Sequence, residues 1–430
     1  MRLLFHILAA LACLITSSVA HAQGRGGMPR DIPMPRPMPD RGIPDRVSDR
    51  IADRVDNRSG GLDRANIASE YRLPKPQGER ATAMARAAPA DYELDRMGAL
   101  VIRGEILAMG VDEAALRKIQ RAGFVILRQT ELPELGVNLL VLARDNLPGP
   151  KAVEHLRKIA PHASYELNHV FFESGGAAAV VTASEPPTSS ASAGSTMVGL
   201  IDTGVARSVD AAANVRVIRR NFTSDASGGK LHGTAVASLL TRKPGKVTIY
   251  AADIFGDGPR GGTAELLAKA LDWMAQQRVP VVNISMVGPP NGLVATAANA
   301  MLRKGHIIVA PVGNDGSVAR PLFPASYPGV IAVSAAGSDG RLLPEASRVR
   351  RVDFVGPGVA TVRDPHGKAV IVRGTSYAAP IVSRLLADRI AVPNAAEAKK
   401  SVEHLARAAA QPKTKRHLFG RGLIGVSASQ

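Results

Sequence analysis

Cysteine and long apolar runs are almost absent from this sequence. The one cysteine, Cys13, lies in an apolar stretch at the N-terminus. If that stretch is removed on export, the mature chain contains no disulfide and no cysteine-ligated metal site. After residue 22 no stretch is apolar for long enough to cross a bilayer. The 430 residues nevertheless suffice for a sizeable core and more than one domain.

Aromatic residues are also scarce, and acidic residues are scarce in one half of the chain. Aromatics make up 4% of the sequence, and no run of Arg or Lys is interleaved with them, which argues against nucleic-acid binding. Residues 195–430 hold 30 Lys and Arg against 15 Asp and Glu, whereas residues 1–194 hold 24 against 22. The basic half is compatible with acidic substrates, with an anionic cell-envelope surface, or with a generally basic surface.

The first 22 residues have the pattern of a secretory signal peptide. Met1-Arg2 supplies a positive start, Leu3–Val19 an apolar core, and Ala20-His21-Ala22 a small-residue cleavage motif. We therefore expect cleavage before Gln23 and an exported protein, whether secreted or periplasmic. A single-pass anchor is less compatible with so short an apolar run, and a lipid on Cys13 has poor support in the flanking residues.

Three segments follow the signal peptide. Residues 23–90 are rich in Pro, Arg, Asp and Gly, with recurring Asp-Arg pairs, a composition that predicts disorder in a spacer or a tether. Residues 91–173 show a β-α-β-β-α-β pattern, which predicts a small ferredoxin-like α+β domain. Residues 174–195 form an Ala/Ser/Gly linker with Pro186-Pro187, expected to be flexible and exposed.

From residue 196 onward, short apolar runs alternate with helical patterns. Five runs have the length and composition of buried strands: Met197–Ile201, Lys246–Ile254, Val279–Ser285, Gly305–Pro311 and Val330–Ala335. The helical patterns cover residues 232–241, 262–277, 292–303 and 376–390. This rhythm predicts a doubly wound, mostly parallel sheet with helices on both faces, as the core of an α/β domain over 196–430. Ligands of such sheets bind outside the carboxyl ends of the strands.

Three stretches bring a Ser, a His and an Asp to the ends of buried elements. Ser376 lies between an apolar strand, Ala369–Val372, and a helix start, where free backbone N–H groups favour an oxyanion. His232 opens another apolar helix, and Asp202 follows an apolar strand. A Ser at a helix start is more often only a cap. Together with an Asp and a His, however, it forms the set that nucleophilic acyl transfer requires.

On these residues the second half of the chain resembles the subtilisin-type serine peptidase family. The resemblance covers most of residues 196–430, and its three central motifs follow the family's Asp, His, Ser order. The matching stretches are Asp202-Thr203-Gly204, His232-Gly233-Thr234, Gly374-Thr375-Ser376, Val281–Ser285, Val312–Gly316, Pro324–Pro328 and Gly420–Ile424.

The resemblance implies a role for each site residue. Ser376 would be the nucleophile, His232 the general base, Asp202 the residue that fixes the imidazole, and Asn314 the side-chain oxyanion donor. On sequence alone Asn314 would be taken for a turn residue. The peptide substrate would bind as an added strand. Its expected edges are Gly261, Gly262, Ser285, Met286, Val287 and Gly288.

The resemblance also implies that residues 91–173 are an inhibitory propeptide whose last strand docks in the cleft; an independent binding module is the alternative. Val287 stands where a Gly is common in the family, so we predict a substrate pocket that favours small side chains. We also predict self-cleavage between Phe172 and Ser195.

The chemistry that the resemblance implies needs no cofactor. Calcium is common in the family, but no carboxylate cluster here can be assigned to it. We expect a monomer that acts on proteins or peptides.

Two other functions fit part of the pattern. Asp202-Thr203-Gly204 also resembles an aspartic-protease motif, but that chemistry needs two carboxylates, and no second Asp-Thr-Gly or Asp-Ser-Gly occurs. The other alternative is a catalytically weak or non-enzymatic cell-envelope binding protein on a peptidase fold. Labelling by a fluorophosphonate would separate it from a self-processing serine endopeptidase.

Overall fold

The computed structural model describes residues 75–174, 179–180, 195–225, 228–258, 260–316, 320–412 and 416–425. The predicted signal peptide and most of the predicted disordered segment and linker lie outside these residues. All of the described residues fall within one unit, residues 63–430. None of its described helices has both the length and the apolar character needed to span a membrane.

The N-terminal module, residues 75–174, is built on an antiparallel sheet. Its elements are α1 (Lys75–Ala87), β1 (Tyr92–Leu94), β2 (Leu100–Met109), α2 (Glu113–Arg121), β3 (Val125–Leu132), β4 (Val137–Ala143), α3 (Gly149–Ile159), β5 (Ser164–His169) and β6 (Phe172–Glu173). The strands pair in the order β5-β2-β4-β3, and β1 pairs with the start of β2. The expected β-α-β-β-α-β order is therefore present, and Asp112 caps α2 by accepting a hydrogen bond from the Ala115 N–H.

Helix α1 corrects the prediction that residues 23–90 are disordered throughout. Its sequence is too polar to predict a buried helix, yet Ala81 is fully buried against Tyr92, Leu100 and Phe172. The helix is therefore stabilised by packing on the module, which a reading of local composition does not detect.

The C-terminal domain is built on a seven-stranded parallel sheet, as the alternating rhythm predicts. Its strands are β8 (Ser195–Asp202), β9 (Val215–Asn221), β10 (Lys246–Asp253), β11 (Val281–Ile284), β13 (Ile307–Pro311), β14 (Ile331–Ala336) and β15 (Phe354–Pro357). They lie in the order β15-β14-β13-β11-β8-β10-β9. Every pair is parallel.

Helices cover both faces of this sheet. They are α4 (Leu231–Thr241), α5 (Ala264–Gln276), α6 (Gly292–Arg303), α7 (Thr375–Ala387) and α8 (Ala395–Ala408). Val282 and Ile308 pack with α5 and α6, whereas their neighbours Val281 and Val309 pack with α4 and α7. This alternation buries both faces, which explains why the strands are apolar throughout.

Short strands outside the parallel sheet complete the domain. These are β7 (Ala179–Val180), β12 (Met286–Val287), β16 (Val359–Arg363) and β17 (Ala369–Arg373). The predicted strand before Ser376 is β17, but it pairs with β16 and β7 rather than with the parallel sheet, and it is buried only at alternate residues. Of the predicted linker, residues 174–195, the structure describes Ser174, β7 and Ser195.

The module and the domain share a core. Side chains on one face of the module's sheet, among them Leu107, Leu139 and Val141, belong to the same buried cluster as residues of α5 and α6. The opposite face of that sheet packs on α2 and α3. The module is therefore seated on two helices next to the carboxyl edge of the parallel sheet.

Candidate active site

The predicted Asp, His and Ser are carried by three elements that converge at one edge of the sheet. Asp202 is the last residue of β8, and His232 and Ser376 are the second residues of α4 and α7. The end of β8 and the start of α4 approach closely: the Gly233 N–H donates to Thr203 Oγ1 over 2.9 Å, and a Cβ on Gly233 would lie 2.2 Å from the Thr203 carbonyl oxygen. Only glycine allows His232 to come this near to Asp202.

The structure brings the three side chains into hydrogen-bond contact. His232 Nδ1 lies 2.7 Å from Asp202 Oδ1, and His232 Nε2 lies 3.1 Å from Ser376 Oγ. The Thr203 N–H also donates to Asp202 Oδ1 over 2.6 Å, which orients the carboxylate. All three side chains are buried. A hydroxyl, an imidazole and a carboxylate in this order can activate the hydroxyl as a nucleophile.

The electrostatics favour a protonatable imidazole. Burial lowers the pKa of His232, but the charge and hydrogen bond of Asp202, with a contribution from Glu173, more than offset it and leave the pKa raised. His232 also packs against the ring of Tyr377, with centroids 5.5 Å apart. The site can therefore stabilise the imidazolium that forms when the base takes a proton.

A carbonyl group of the chain itself lies at the reacting position. Ser376 Oγ is 3.0 Å from the Ser174 carbonyl oxygen, and the Asn314 side-chain amide donates to the same oxygen. Asn314 Oδ1 accepts the Thr375 N–H over 2.9 Å, which fixes the amide. Asn314 is thus aimed at an acyl oxygen rather than serving only as a turn residue.

The residues before Ser174 form an added strand in the cleft, which we call the tail strand (Val170–Ser174). On one side its Phe171 N–H donates to the Gly262 carbonyl over 2.7 Å. On the other side Phe172 and Glu173 pair antiparallel with Val287 and Met286, and the Ser174 N–H donates to the Ser285 carbonyl over 3.4 Å.

Five of the six predicted edge residues therefore lie along the tail strand. A Cβ on Gly262 would lie 2.7 Å from the Phe171 carbonyl oxygen, and one on Gly288 would lie 2.5 Å from the Phe171 ring. Gly261 differs, because its Cβ would meet the Phe255 backbone at 1.8 Å. The absence of a side chain at Gly261 allows its backbone to pack against that of Phe255 at this edge of the cleft.

Sequence reasoning did not identify Ser174, Phe171 or Asp315 as parts of the site. Phe171 is fully buried between the module and the domain. Asp315 follows Asn314, and burial raises its pKa, an effect that the nearby Gln77 of α1 offsets only in part. The Phe171-Phe172 pair in an aromatic-poor chain was the one available signal. Among the described residues, no three His, Cys, Asp or Glu side chains group closely enough to hold a metal ion.

The model of the subtilase family matches residues 194–422, which is more than half of the chain. The chain belongs to the subtilase family of subtilisin-like serine peptidases. The match begins just before β8 and takes in Asp202, His232, Asn314 and Ser376.

Curated relatives of this subtilase agree with that assignment. It is 29% identical over 213 residues to a cuticle-degrading serine protease of Arthrobotrys oligospora, covering 46% of this chain and 52% of the relative. It is 26% identical over 251 residues to subtilisin DY of Bacillus licheniformis, covering 54% and 89%. It is 25% identical over 303 residues to subtilisin E of Bacillus subtilis, covering 65% and 78%. The subtilase thus spans about half the length of the Arthrobotrys relative.

Solved structures share its fold. Fervidolysin of Fervidobacterium pennivorans aligns with a TM-score of 0.60 at 20% identity, over 77% of this chain and 61% of fervidolysin. The epidermin leader peptide processing serine protease of Staphylococcus aureus aligns with a TM-score of 0.56 at 16% identity, over 74% and 96%. Both alignments extend well beyond half of this subtilase.

Proposed function

We propose that this subtilase is a serine endopeptidase that acts through Asp202, His232 and Ser376. Ser376 Oγ attacks the carbonyl carbon of a peptide bond while its proton passes to His232 Nε2. The negative charge that develops on the carbonyl oxygen is stabilised by the Asn314 amide. His232 then gives the proton to the leaving amine, and water repeats the sequence to release the acyl group from Ser376.

The observation that carries this proposal is the position of the Ser174 carbonyl. Its oxygen contacts both Ser376 Oγ and Asn314, while the strand before it pairs with both edges of the cleft. A backbone carbonyl held against a nucleophile and an oxyanion donor has the geometry of a bound substrate.

We further propose that the first substrate is the chain itself, at the bond between Ser174 and Gly175. Ser174 has the small side chain that we expect the pocket to accept, and it lies in the interval between Phe172 and Ser195. After cleavage the module remains as an inhibitor, because the tail strand and the shared core keep their contacts. Later substrates are protein or peptide segments that bind as a strand in the same cleft.

The proposal also includes export of the precursor from the cytoplasm. The N-terminal signal pattern directs the precursor out of the cytoplasm, and the module holds the peptidase inactive until it folds there. The excess of 30 Lys and Arg over 15 Asp and Glu in residues 195–430 favours contact with an anionic envelope surface.

The test compares wild type with Ser376→Ala by intact mass and N-terminal sequencing of the purified product. Wild type should give a new N-terminus at Gly175, and Ser376→Ala should keep residues 174 and 175 joined. A fluorophosphonate should label wild type alone once the module has been removed. An uncut, unlabelled wild-type protein that is correctly folded would contradict the proposal.

A further inference from the structure

Helix α1 packs on the tail strand from the side opposite the peptidase. Successive side chains of a strand point to opposite faces. Phe171 belongs to the core shared with α5 and α6, whereas Val170 and Phe172 lie in a separate small core with Ala81 of α1. The strand in the cleft is thus enclosed on both faces.

Two polar contacts extend this packing along the helix. The Arg80 guanidinium lies over the Phe172 ring, 4.5 Å from its centroid. One turn earlier, the Gln77 side chain lies beside Asp315, the neighbour of Asn314, and partly offsets the rise in the pKa of Asp315 that burial causes. Helix α1 therefore contacts both the tail strand and the peptidase wall beside the reacting carbonyl.

We propose that α1 is a strap that retains the tail strand in the cleft, so that the inhibitory unit is residues 75–174 rather than 91–173. The proposal rests on the peptidase function proposed above. To leave the cleft ahead of the rest of the module, the tail must break its pairing with Met286 and Val287 and also withdraw Phe172 from the core that it shares with α1. The strap slows that withdrawal.

The variants for the test remove contacts of the strap without disturbing its helix. Gln77→Ala and Arg80→Ala are combined, since alanine favours the helix and Arg80 is largely exposed. Arg86→Ala is the matched control, because Arg86 is an exposed arginine in the last turn of the same helix. Ala81→Glu is a second, stronger variant, which places a carboxylate in the small core.

The first measurement uses the full chain with Ser376→Ala, so that no cleavage occurs. Hydrogen exchange is followed at Phe171 and Ser174, whose amides are bonded to Gly262 and Ser285. With the double variant these amides should exchange about tenfold faster, and with Arg86→Ala they should not change. Equal protection in all variants would overturn the strap, whether or not the chain is a peptidase.

The second measurement uses the chain with Ser376 intact. After self-cleavage the complex is diluted, and the rate at which peptide hydrolysis appears is recorded. The double variant should release activity about fivefold to tenfold faster than wild type, and Arg86→Ala should match wild type. Digestion of the module by added trypsin should bring all of them to the same final activity. Equal release rates with equal final activity would refute the strap alone, whereas absence of final activity in wild type would refute the peptidase.

Discussion

Asn314 makes two contacts through one amide, and both bear on its proposed role as the oxyanion donor. Its Oδ1 accepts the Thr375 N–H over 2.9 Å, and its Nδ2 donates to the Ser174 carbonyl. The first contact fixes the direction of the second. In the proposed mechanism the donor is therefore already oriented when charge develops on the acyl oxygen, so no reorganisation is needed during the reaction.

Replacing Asn314 with Ala should lower kcat by about 10²–10³-fold and leave KM nearly unchanged, a range that comes from subtilisin itself. The measurement is steady-state hydrolysis by the released peptidase. Asn394→Ala is the control, since Asn394 only caps α8 through the Glu397 N–H. It should lower stability by about 1 kcal/mol with normal turnover. A change in KM alone would mean that Asn314 binds the substrate without stabilising charge.

Glu173 should affect the pH dependence of self-cleavage by the precursor but not the pH dependence of the released enzyme. Its carboxylate helps to raise the pKa of His232, after the larger effects of burial and Asp202. In Glu173→Gln the pKa of His232 should fall, so more of the imidazole is neutral at mildly acidic pH. Self-cleavage should then shift its midpoint to lower pH, measured between about pH 5 and 8.

Hydrolysis of an added peptide by the released enzyme should keep its wild-type pH profile in Glu173→Gln, because Glu173 leaves with the module. Glu131→Gln, at an exposed position of β3, serves as the matched control. An unchanged self-cleavage profile in Glu173→Gln would show that Glu173 makes no contribution to the pKa of His232.

The sequence alone identified the residues proposed to be catalytic, but it did not identify the carbonyl group that the structure places against them. Asp202, His232 and Ser376 sit in motifs whose order and positions at element ends could be read directly. Ser174 lies 202 positions before Ser376, and nothing in its local sequence distinguishes it from the other small residues of the linker. Its role depends on how the chain folds back.

Among the elements that carry the site, the end of β8 and the start of α4 approach with almost no spare room. A methyl group on Gly233 would meet the Thr203 carbonyl oxygen at 2.2 Å, which backbone atoms cannot accommodate without movement. Gly233→Ala should displace α4, lengthen the Asp202–His232 hydrogen bond, and lower kcat/KM at least tenfold, to about a tenth or less. Its unfolding free energy should fall by about 1–3 kcal/mol.

Thermal melting and steady-state kinetics of Gly233→Ala test both effects. Gly228→Ala, close by in sequence and with no atom within 4 Å of the added methyl, should change neither quantity. Wild-type kinetics in Gly233→Ala would show that the active-site geometry does not depend on this contact.

Arg128 of β3 joins the module to the peptidase electrostatically. It donates to Glu105 of the module over 2.7 and 3.0 Å and to Glu265 of α5 over 2.9 Å. Both carboxylates are almost fully buried. Burial raises the pKa of Glu265, but the hydrogen bonds and charges of Arg128 and Lys269 outweigh it and leave that pKa lowered.

Arg128→Met should weaken the module's hold on the peptidase at least tenfold, because it leaves two buried carboxylates without their shared cation. The readout is the rate at which activity appears after dilution of the self-cleaved complex. Arg117→Met is the matched control, since Arg117 pairs only with exposed Glu113 on its own helix. Slower release in Arg128→Met would mean that desolvation of Arg128 opposes docking.

The sequence predicted correctly those elements whose apolar run or helical periodicity is visible within the element itself. The apolar runs of β8, β10, β11, β13 and β14 and the periodic helices α4 to α7 follow from local pattern, with ends displaced by a few residues. Helix α1 could not be predicted, because its buried face consists of little more than Ala81, and its partner Phe172 is far along the chain. The pairing of β17 with β16 and β7 likewise depends on tertiary contacts.

Across the whole molecule the charge is divided between the two parts. Residues 75–174 hold 13 Lys and Arg and 13 Asp and Glu, while residues 195–430 hold 30 against 15. The module is therefore neutral overall, and the C-terminal domain is strongly basic. We expect the released peptidase to adsorb to anionic lipid vesicles at low ionic strength and to desorb above about 0.3 M salt, where the Debye length is roughly 6 Å.

Co-sedimentation with phosphatidylglycerol vesicles across a salt series tests this expectation. Vesicles of neutral lipid are the control and should retain nothing. Binding that persists at high salt, or equal binding to neutral vesicles, would show that the basic surface does not drive adsorption.

The two short strands on either side of the proposed cut are both held. In the intact chain Phe172 and Glu173 pair with β12, and Ala179 and Val180 pair with β17. Hydrolysis between them therefore frees little chain entropy, and the new carboxylate and amine remain at a high effective concentration. The equilibrium constant for breaking this bond should thus lie much nearer to unity than that of an ordinary peptide. We therefore expect the nicked precursor to reseal, so that cut and uncut forms coexist until the module leaves.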